Sequence, residues 1–305
     1  MKHTLNHLEY AGARVFGASM MLRQPGTQEL EYPDFLVEFE SKVNPVKSGP
    51  VGMIDAVRHR ISLGADWIKI EGTGGVLHGE HSNLKTSYFT DEELKAIVEE
   101  THRSKRFVAS HCHADEGIRR GTEAGIDTIE HGSFITEETA KLMLNKKNYL
   151  IPTKMALEML IKPEIFDKMP PSVQNRINEA MAITREQHKL AFDMGVNMAL
   201  GTDAGTPGNY HGTCAREMQY YTDLLGATNL KALQMATIEA AKAIKQESNL
   251  GTIEVGKTAD LVIMEKNPLD DIKVIQNYKN QTHVFRDGVL MAEKGKIVYT
   301  LDMNR

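Results

Sequence analysis

Cysteine is scarce in this 305-residue chain, with only Cys112 and Cys214 present. Two thiols exclude a disulfide scaffold and suit a reducing compartment, so the cytoplasm is the expected location. A basic excess is also missing. The formal net charge is -5 and the pI is near 6.2, whereas a nucleic-acid binder carries a basic patch. No apolar run approaches the roughly 20 residues that cross a bilayer. The opening MKHTLNHLEYAGARVFG lacks the apolar region of a secretory signal. Nucleic acid and membrane are therefore not expected as partners. Internal repeats and low-complexity tracts are absent as well. What is present is an ordinary globular composition, 41% hydrophobic and 25% charged. At this length about three quarters of the unfolded surface can be buried without a staple.

The chain alternates short apolar runs with longer amphipathic stretches. ARVFGAS (13–19), DWIKI (66–70), FVASHCH (107–113), TIEHG (128–132), YLIPT (149–153) and NMALGTD (197–203) read as buried strands. Thr90-Asp91-Glu92-Glu93 has the form of a capping box opening a helix that runs to about Ser104. Thr136 is placed to cap a later helix, and Gly125 and Gly195 to close helices before strands. Residues 171–194 read as one long amphipathic helix behind Pro170-Pro171. Such alternation implies a parallel sheet, either doubly wound or closed into a (β/α)8 barrel. The Gly-rich phosphate turn of a dinucleotide fold follows none of the strands. Instead Lys69, His111, His131 and Asp203 end four of them, where barrel enzymes place their chemistry. The expected class is α/β of the (β/α)8 TIM-barrel type. From about Asn249 the pattern changes to short alternating strands with hairpin-like RDG and KGK turns. The expected domains are therefore a barrel at 1–248 and a small β portion at 249–305.

Lys69 closes the run DWIKI. A surface lysine snorkels from such a place, but a desolvated one has a lowered pKa. Its neutral amine can add carbon dioxide to give a carbamate, an oxygen ligand able to bridge two metal ions. His111 and His131 end successive parallel strands and so stand side by side at one mouth, and imidazole is the commonest nitrogen ligand of zinc. His113, two residues past His111, shares its face and is placed to meet substrate. Asp203, in LGTDAGTPGNYHG, suits both a metal ligand and a general base, although an aspartate there can also cap the next helix.

These segments carry a resemblance. GADWIKIEGTGG, VASHCHADEGIRRGTEAGIDTIEHGSF, ALGTDAG and the tail GTIEVGKTADLVIMEKNPLDDI with HVFRDGVLM resemble the amidohydrolase superfamily of metal-dependent hydrolases. The likeness is to its imidazolonepropionase-like and Xaa-Pro dipeptidase (prolidase) branch, and it covers nearly the whole chain. It implies a carboxylated Lys69, metal ligands His111 and His131, and Asp203 as ligand and base. It also implies a divalent metal, zinc by ligand type, as one or two ions. The tail then corresponds to the C-terminal part of a small β-sandwich. The implied reaction is hydrolysis of an amide or peptide-like C–N bond by metal-activated water. The alternatives are an inactive fragment of such an enzyme and a related mononuclear deaminase. The expected partner is a small-molecule amide or dipeptide-like substrate. Groups on the loops after the strands would select it: Gly74, Gly75, His78, His81, Tyr88, His113 and His211. The tyrosine and arginine that hold a substrate carboxylate in some prolidase-like relatives are replaced by His113-Ala114-Asp115-Glu116.

The family's first barrel strand ends in a His-x-His pair, and none precedes ARVFGAS; His3 and His7 are spaced i, i+4 instead. Six candidate strands are found where a closed barrel needs eight. The expectation is a barrel lacking strands one and two, with a mononuclear site on Lys69, His111 and His131. Strands 13–19 and 197–203 would then be unpaired edges, through which copies of the chain would associate as a homo-oligomer.

Overall fold

The structure, a computed structural model, describes residues 2–7, 10–24, 47–78 and 82–300. It divides into two compact units, Gly17–Tyr210 and Met1–Phe16 with His211–Arg305. The change of composition at 249 thus falls inside the second unit.

In the first unit, α1 (Gly49–Ser62) leads into a parallel sheet. Strands β1 (Trp67–Glu71), β2 (Phe107–Cys112), β3 (Thr128–His131) and β4 (Tyr149–Ile151) lie in sequence order. Helices α2 (Asp91–Arg103), α3 (Asp115–Ala124) and α4 (Glu137–Lys146) make the crossovers. Local chemistry sets their ends. Thr90 and Glu93 form the reciprocal capping box of α2, Thr136 accepts from the Thr139 N–H to open α4, and Gly125 ends α3 at φ +95°.

The two faces of this sheet differ. Ile68, Ile70, Val108, Cys112, Ile129 and Leu150 are all fully buried, as a parallel sheet under helices requires. The alternate residues Trp67, Lys69, Glu71, Phe107, Ala109, His111, Thr128 and Glu130 make the other face, and four of them are ionisable. A run buried on both sides would be apolar throughout.

The outer strands are less regular than the sequence suggests. Segment 13–19 forms no strand, and at its end Ser19 leaves the extended path with φ +59°. The chain meets the start of β1 at Gly17, whose carbonyl accepts from Asp66 N (2.7 Å), and again at Leu22, bridged in parallel to Ile70. On the far side Met198 makes a single parallel bridge to Leu150. Among the described residues the sheet does not close, and strand positions flank it on both sides.

Beyond β4 come α5 (Lys154–Leu160), α6 (Pro163–Phe166) and the long α7 (Pro171–Asp193). Leu157, Leu160, Val173, Ile177 and Ala180 pack with Val76 and Leu84 of the loop that follows β1. Arg176 of α7 also donates to the Val76 carbonyl (3.0 Å), the His78 carbonyl (2.5 Å) and the Ser82 carbonyl (3.3 Å). The loop is thereby fixed to a helix by an apolar cluster and by one guanidinium.

The second unit holds a short helix Lys2–Asn6, helices α8 (Ala215–Tyr220), α9 (Asn229–Ala236) and α10 (Ile238–Ala243), and an antiparallel sheet. Its strands are β5 (Leu261–Met264), β6 (Gln281–Arg286), β7 (Val289–Glu293) and β8 (Lys296–Ile297). The RDG and KGK signals are two-residue hairpins: Asp287-Gly288 and Lys294-Gly295 all have positive φ. Of the stretch GTIEVGKTADLVIME, Leu261–Met264 forms the strand and the residues before it do not. Arg286 donates to the carbonyls of Leu5 (2.6 Å) and Gly12 (2.9 Å), tying the N-terminal segment to this sheet. No helix among the described residues is long and apolar enough to cross a membrane.

Candidate metal centre

The polar face of the parallel sheet ends in histidines. His111 projects from β2 beside Glu71 of β1, its register partner. His113 follows past the strand end, its backbone N–H donating to Thr73 Oγ1 at 2.8 Å. His131 arrives by a different route. Glu130 occupies the polar face, so alternation alone would send His131 to the apolar side. A left-handed backbone at His131, φ +69°, followed by Gly132 at +60°, turns its ring back. The His111 and His131 ring centroids lie 4.6 Å apart, and His113 stacks on His131 at 4.8 Å and 9°. One ligand nitrogen from each of the three rings lies within 4.8 Å of the others. The metal set expected from sequence was Lys69, His111, His131 and Asp203; the three ring nitrogens that lie together here belong to His111, His131 and His113, which was expected beside the substrate.

The rings are electrically prepared to bind a cation. Burial, first of all, pushes His111 and His131 well below the ordinary histidine range, and the neighbouring histidines and the Lys69 charge add to it. Burial likewise pushes His113 down to about 3. All three are neutral at physiological pH, with ring lone pairs available. His111 Nε2 is buried with no hydrogen-bond partner. Buried polar atoms are rarely left so, and an imidazole nitrogen in this state fits a metal ligand.

Lys69 lies on the same face. Its amine meets a carboxylate oxygen of Glu130, whose other oxygen accepts from Thr128 Oγ1 at 2.6 Å. Asp203, after the Met198 position, has φ +54°, and its carbonyl accepts from Asn209 Nδ2 at 3.0 Å. Burial raises the pKa of its carboxyl, while the Lys69 charge acts in the opposite direction.

The substrate-loop candidates separate. His78 stacks on His111 at 5.4 Å, and its Nδ1 accepts the Gly75 N–H at 2.9 Å. A Cβ on Gly75 would lie 2.5 Å from the His78 ring, so a larger residue there would have to displace that ring. Gly74 is equally confined, by the Asn83 carbonyl. Tyr88 N donates to the Gly72 carbonyl at 3.0 Å, and burial raises its phenol pKa. His211 is exposed and belongs to the second unit, and His81 lies outside the described residues.

Several site residues were missed in the sequence. Glu71 and Glu130 share the face of Lys69 by period two and were readable from that alone. Glu71 is fully buried, with Oε1 2.8 Å from His78 Nδ1 and Oε2 3.4 Å from Arg23 Nε. Neither contact is aligned as a hydrogen bond, and His78 Nδ1 accepts the Gly75 N–H. Ser133, Thr153 and His188 carry no motif and are found only from the packed structure. Ser133 Oγ lies 2.8 Å from His113 Nδ1.

A parallel βα sheet with neutral histidines converging at the C-terminal strand ends is the metal-site class of barrel protein. The amidohydrolase family model matches residues 2–291, and the chain belongs to that family. It is 35% identical over 242 residues to ochratoxinase of Aspergillus niger, covering 79% of this chain and 49% of that protein. It is 24% identical over 192 residues to the imidazolonepropionase of Fusobacterium nucleatum, 60% of this chain and 40% of that one. The structure of a Xaa-Pro dipeptidase with bound methionine superposes with a TM-score of 0.85 at 34% identity, over 96% of this chain and 71% of that one. The fold is thus the TIM-barrel type of these neighbours. The chain spans about half the length of the ochratoxinase it matches.

Proposed function

We propose that this chain carries the metal site of a hydrolase that cleaves amide or peptide-like C–N bonds in small molecules. The observation that carries this reading is the group of three neutral histidines at adjacent strand ends, their nitrogens within 4.8 Å. Nitrogen donors favour zinc among abundant divalent ions. His111 and His131 are the proposed ligands, with Lys69 in its carboxylated form, and Asp203 serves as base or holds a weaker second ion. A bound divalent ion supplies Lewis acidity, polarising the scissile carbonyl and making water nucleophilic at neutral pH.

The chain's own groups do the rest. Asp203 takes a proton from the attacking water and delivers it to the departing amine as the C–N bond breaks. Burial brings its pKa closer to the working range, which helps both transfers. Gly75 and Tyr88 sit on the loop fixed by Arg176 and position substrate over the histidines. His113 either faces the substrate or joins the ligand set. The ochratoxinase and dipeptidase likenesses support an amide substrate with an amino-acid portion.

Asp203→Asn should lower amine release from an N-acyl amino acid by about 100-fold or more while metal content stays near the parent value. Lys69→Ala should lose bound metal, and a short added carboxylic acid should restore part of it. Release of free ammonia in place of an amine product would support the deaminase reading instead. Full turnover by Asp203→Asn would remove Asp203 from the mechanism.

A further inference from the structure

The left-handed backbone of His131 needs an explanation. An L-residue with a ring adopts it rarely, and the β3–β4 ladder ends one residue earlier, at Glu130 opposite Ile151. The turn removes the His131 carbonyl from the ladder. A buried carbonyl without a donor is costly, and one donor is supplied from α7. His188 Nε2 lies 2.6 Å from that oxygen, on a ring only 1% exposed. A carbonyl only accepts, so His188 Nε2 carries a hydrogen and donates it.

The ring of His131 is held separately. Its Nδ1 lies 2.6 Å from Thr153 Oγ1 at the end of β4. The Thr153 hydroxyl donates its one hydrogen to the Pro152 carbonyl at 2.8 Å. Having no second hydrogen, Oγ1 must accept from the ring. His131 therefore carries its hydrogen on Nδ1, and Nε2 keeps the lone pair. Thr153 is itself left-handed, φ +47°, a marked outlier for a β-branched residue. Strain of this kind persists where the surroundings over-determine it, and it gathers at functional sites.

We infer that His188 and Thr153 are positioning residues: His188 clamps the turned backbone of His131, and Thr153 selects its ring tautomer, so that Nε2 is the nitrogen offered to a metal. The inference rests on the metal-site reading above. Partners behind a ligating histidine typically govern affinity by about 10–100-fold.

The test uses the full 305-residue chain, metal-free, in two measurements. The first is the tautomer of His131, read from long-range 15N–1H correlations of the imidazole nitrogens. The parent and Thr153→Ser should show Nδ1–H, and Thr153→Val should show a mixture or the other tautomer. The second is cobalt(II) titration followed by visible absorption. Thr153→Val and His188→Leu should bind at least about tenfold more weakly, while Thr153→Ser and His188→Gln recover most of the loss. Urea unfolding of each metal-free variant identifies those that simply fold poorly, and the tautomers and affinities are compared among variants that still unfold cooperatively. An Nε2–H tautomer in the parent, or parent-like cobalt binding by Thr153→Val, overturns the inference. A parent with the Nδ1–H tautomer that binds no cobalt overturns the metal-site reading and leaves the positioning intact.

Discussion

Residues with positive φ occur in both sheets, for opposite reasons. In the antiparallel sheet Asp287-Gly288 and Lys294-Gly295 turn two hairpins, where the twist of the strands demands left-handed residues. In the parallel sheet His131 and Thr153 take the same conformation at the ends of β3 and β4, and Asp203 takes it beyond the Met198 bridge, where no hairpin requires it. In the first case the turn residues suit the backbone. In the second, a β-branched residue and an imidazole are held in it by neighbours. The sheets differ in burial as well. The apolar face of the parallel sheet is fully buried, whereas β5 leaves Val262 54% and Ile263 49% exposed. Backbone strain therefore marks function only where the local turn does not explain it.

Histidine replacement should separate the two regions most strongly. His111→Ala and His131→Ala should each weaken zinc binding by two orders of magnitude or more, measured by competition with a chromogenic chelator. His283→Ala, in β6, should leave it unchanged. Equal losses at all three positions would mean that the metal follows the fold and not the site.

Acid should affect the metal-free parallel sheet next. His113 and His188 are held neutral, with pKa values near 3 and 4, whereas the unfolded chain protonates them near 6.5. Above pH 7 neither group contributes. As pH falls from 6.5 toward 4 the unfolded state gains protons that the folded state refuses, so stability declines by about 1.4 kcal/mol per pH unit for each histidine. Urea midpoints across that window should fall in the parent and fall less in His188→Gln. A flat profile would mean that these rings are wet.

Relief of backbone strain gives the smallest effect. Glycine at a left-handed position removes the Cβ clash but adds chain entropy, for a net gain of up to about 1 kcal/mol. Lys294→Gly should gain that stability with no change in turnover. Asp203→Gly should gain a similar amount and lose turnover. Thermal melts and amine release, compared for the two, check the pair.

Much of this was readable in the sequence. The four regular strands lie within a residue or two of their apolar runs, and Thr90, Thr136 and Gly125 do the capping their types suggest. Both hairpins follow from glycine placement. His111 and His131 were legible because each ends an apolar run. The irregular edge at 13–19 was not, since Ser19 signals no break. His113 was expected beside the substrate because period two gives its face but not its distance from His131. Thr153 and His188 lie 22 and 57 residues from the ring and carbonyl they hold. Such contacts are made by packing, and no local pattern encodes them.

Zinc stoichiometry tests the central claim most directly. The purified chain, loaded with zinc and dialysed exhaustively, should retain close to one ion by elemental analysis, and His111→Ala prepared alongside should retain almost none. A parent that keeps no zinc, or a His111→Ala that keeps as much as the parent, would contradict a metal centre built on the ends of β2 and β3.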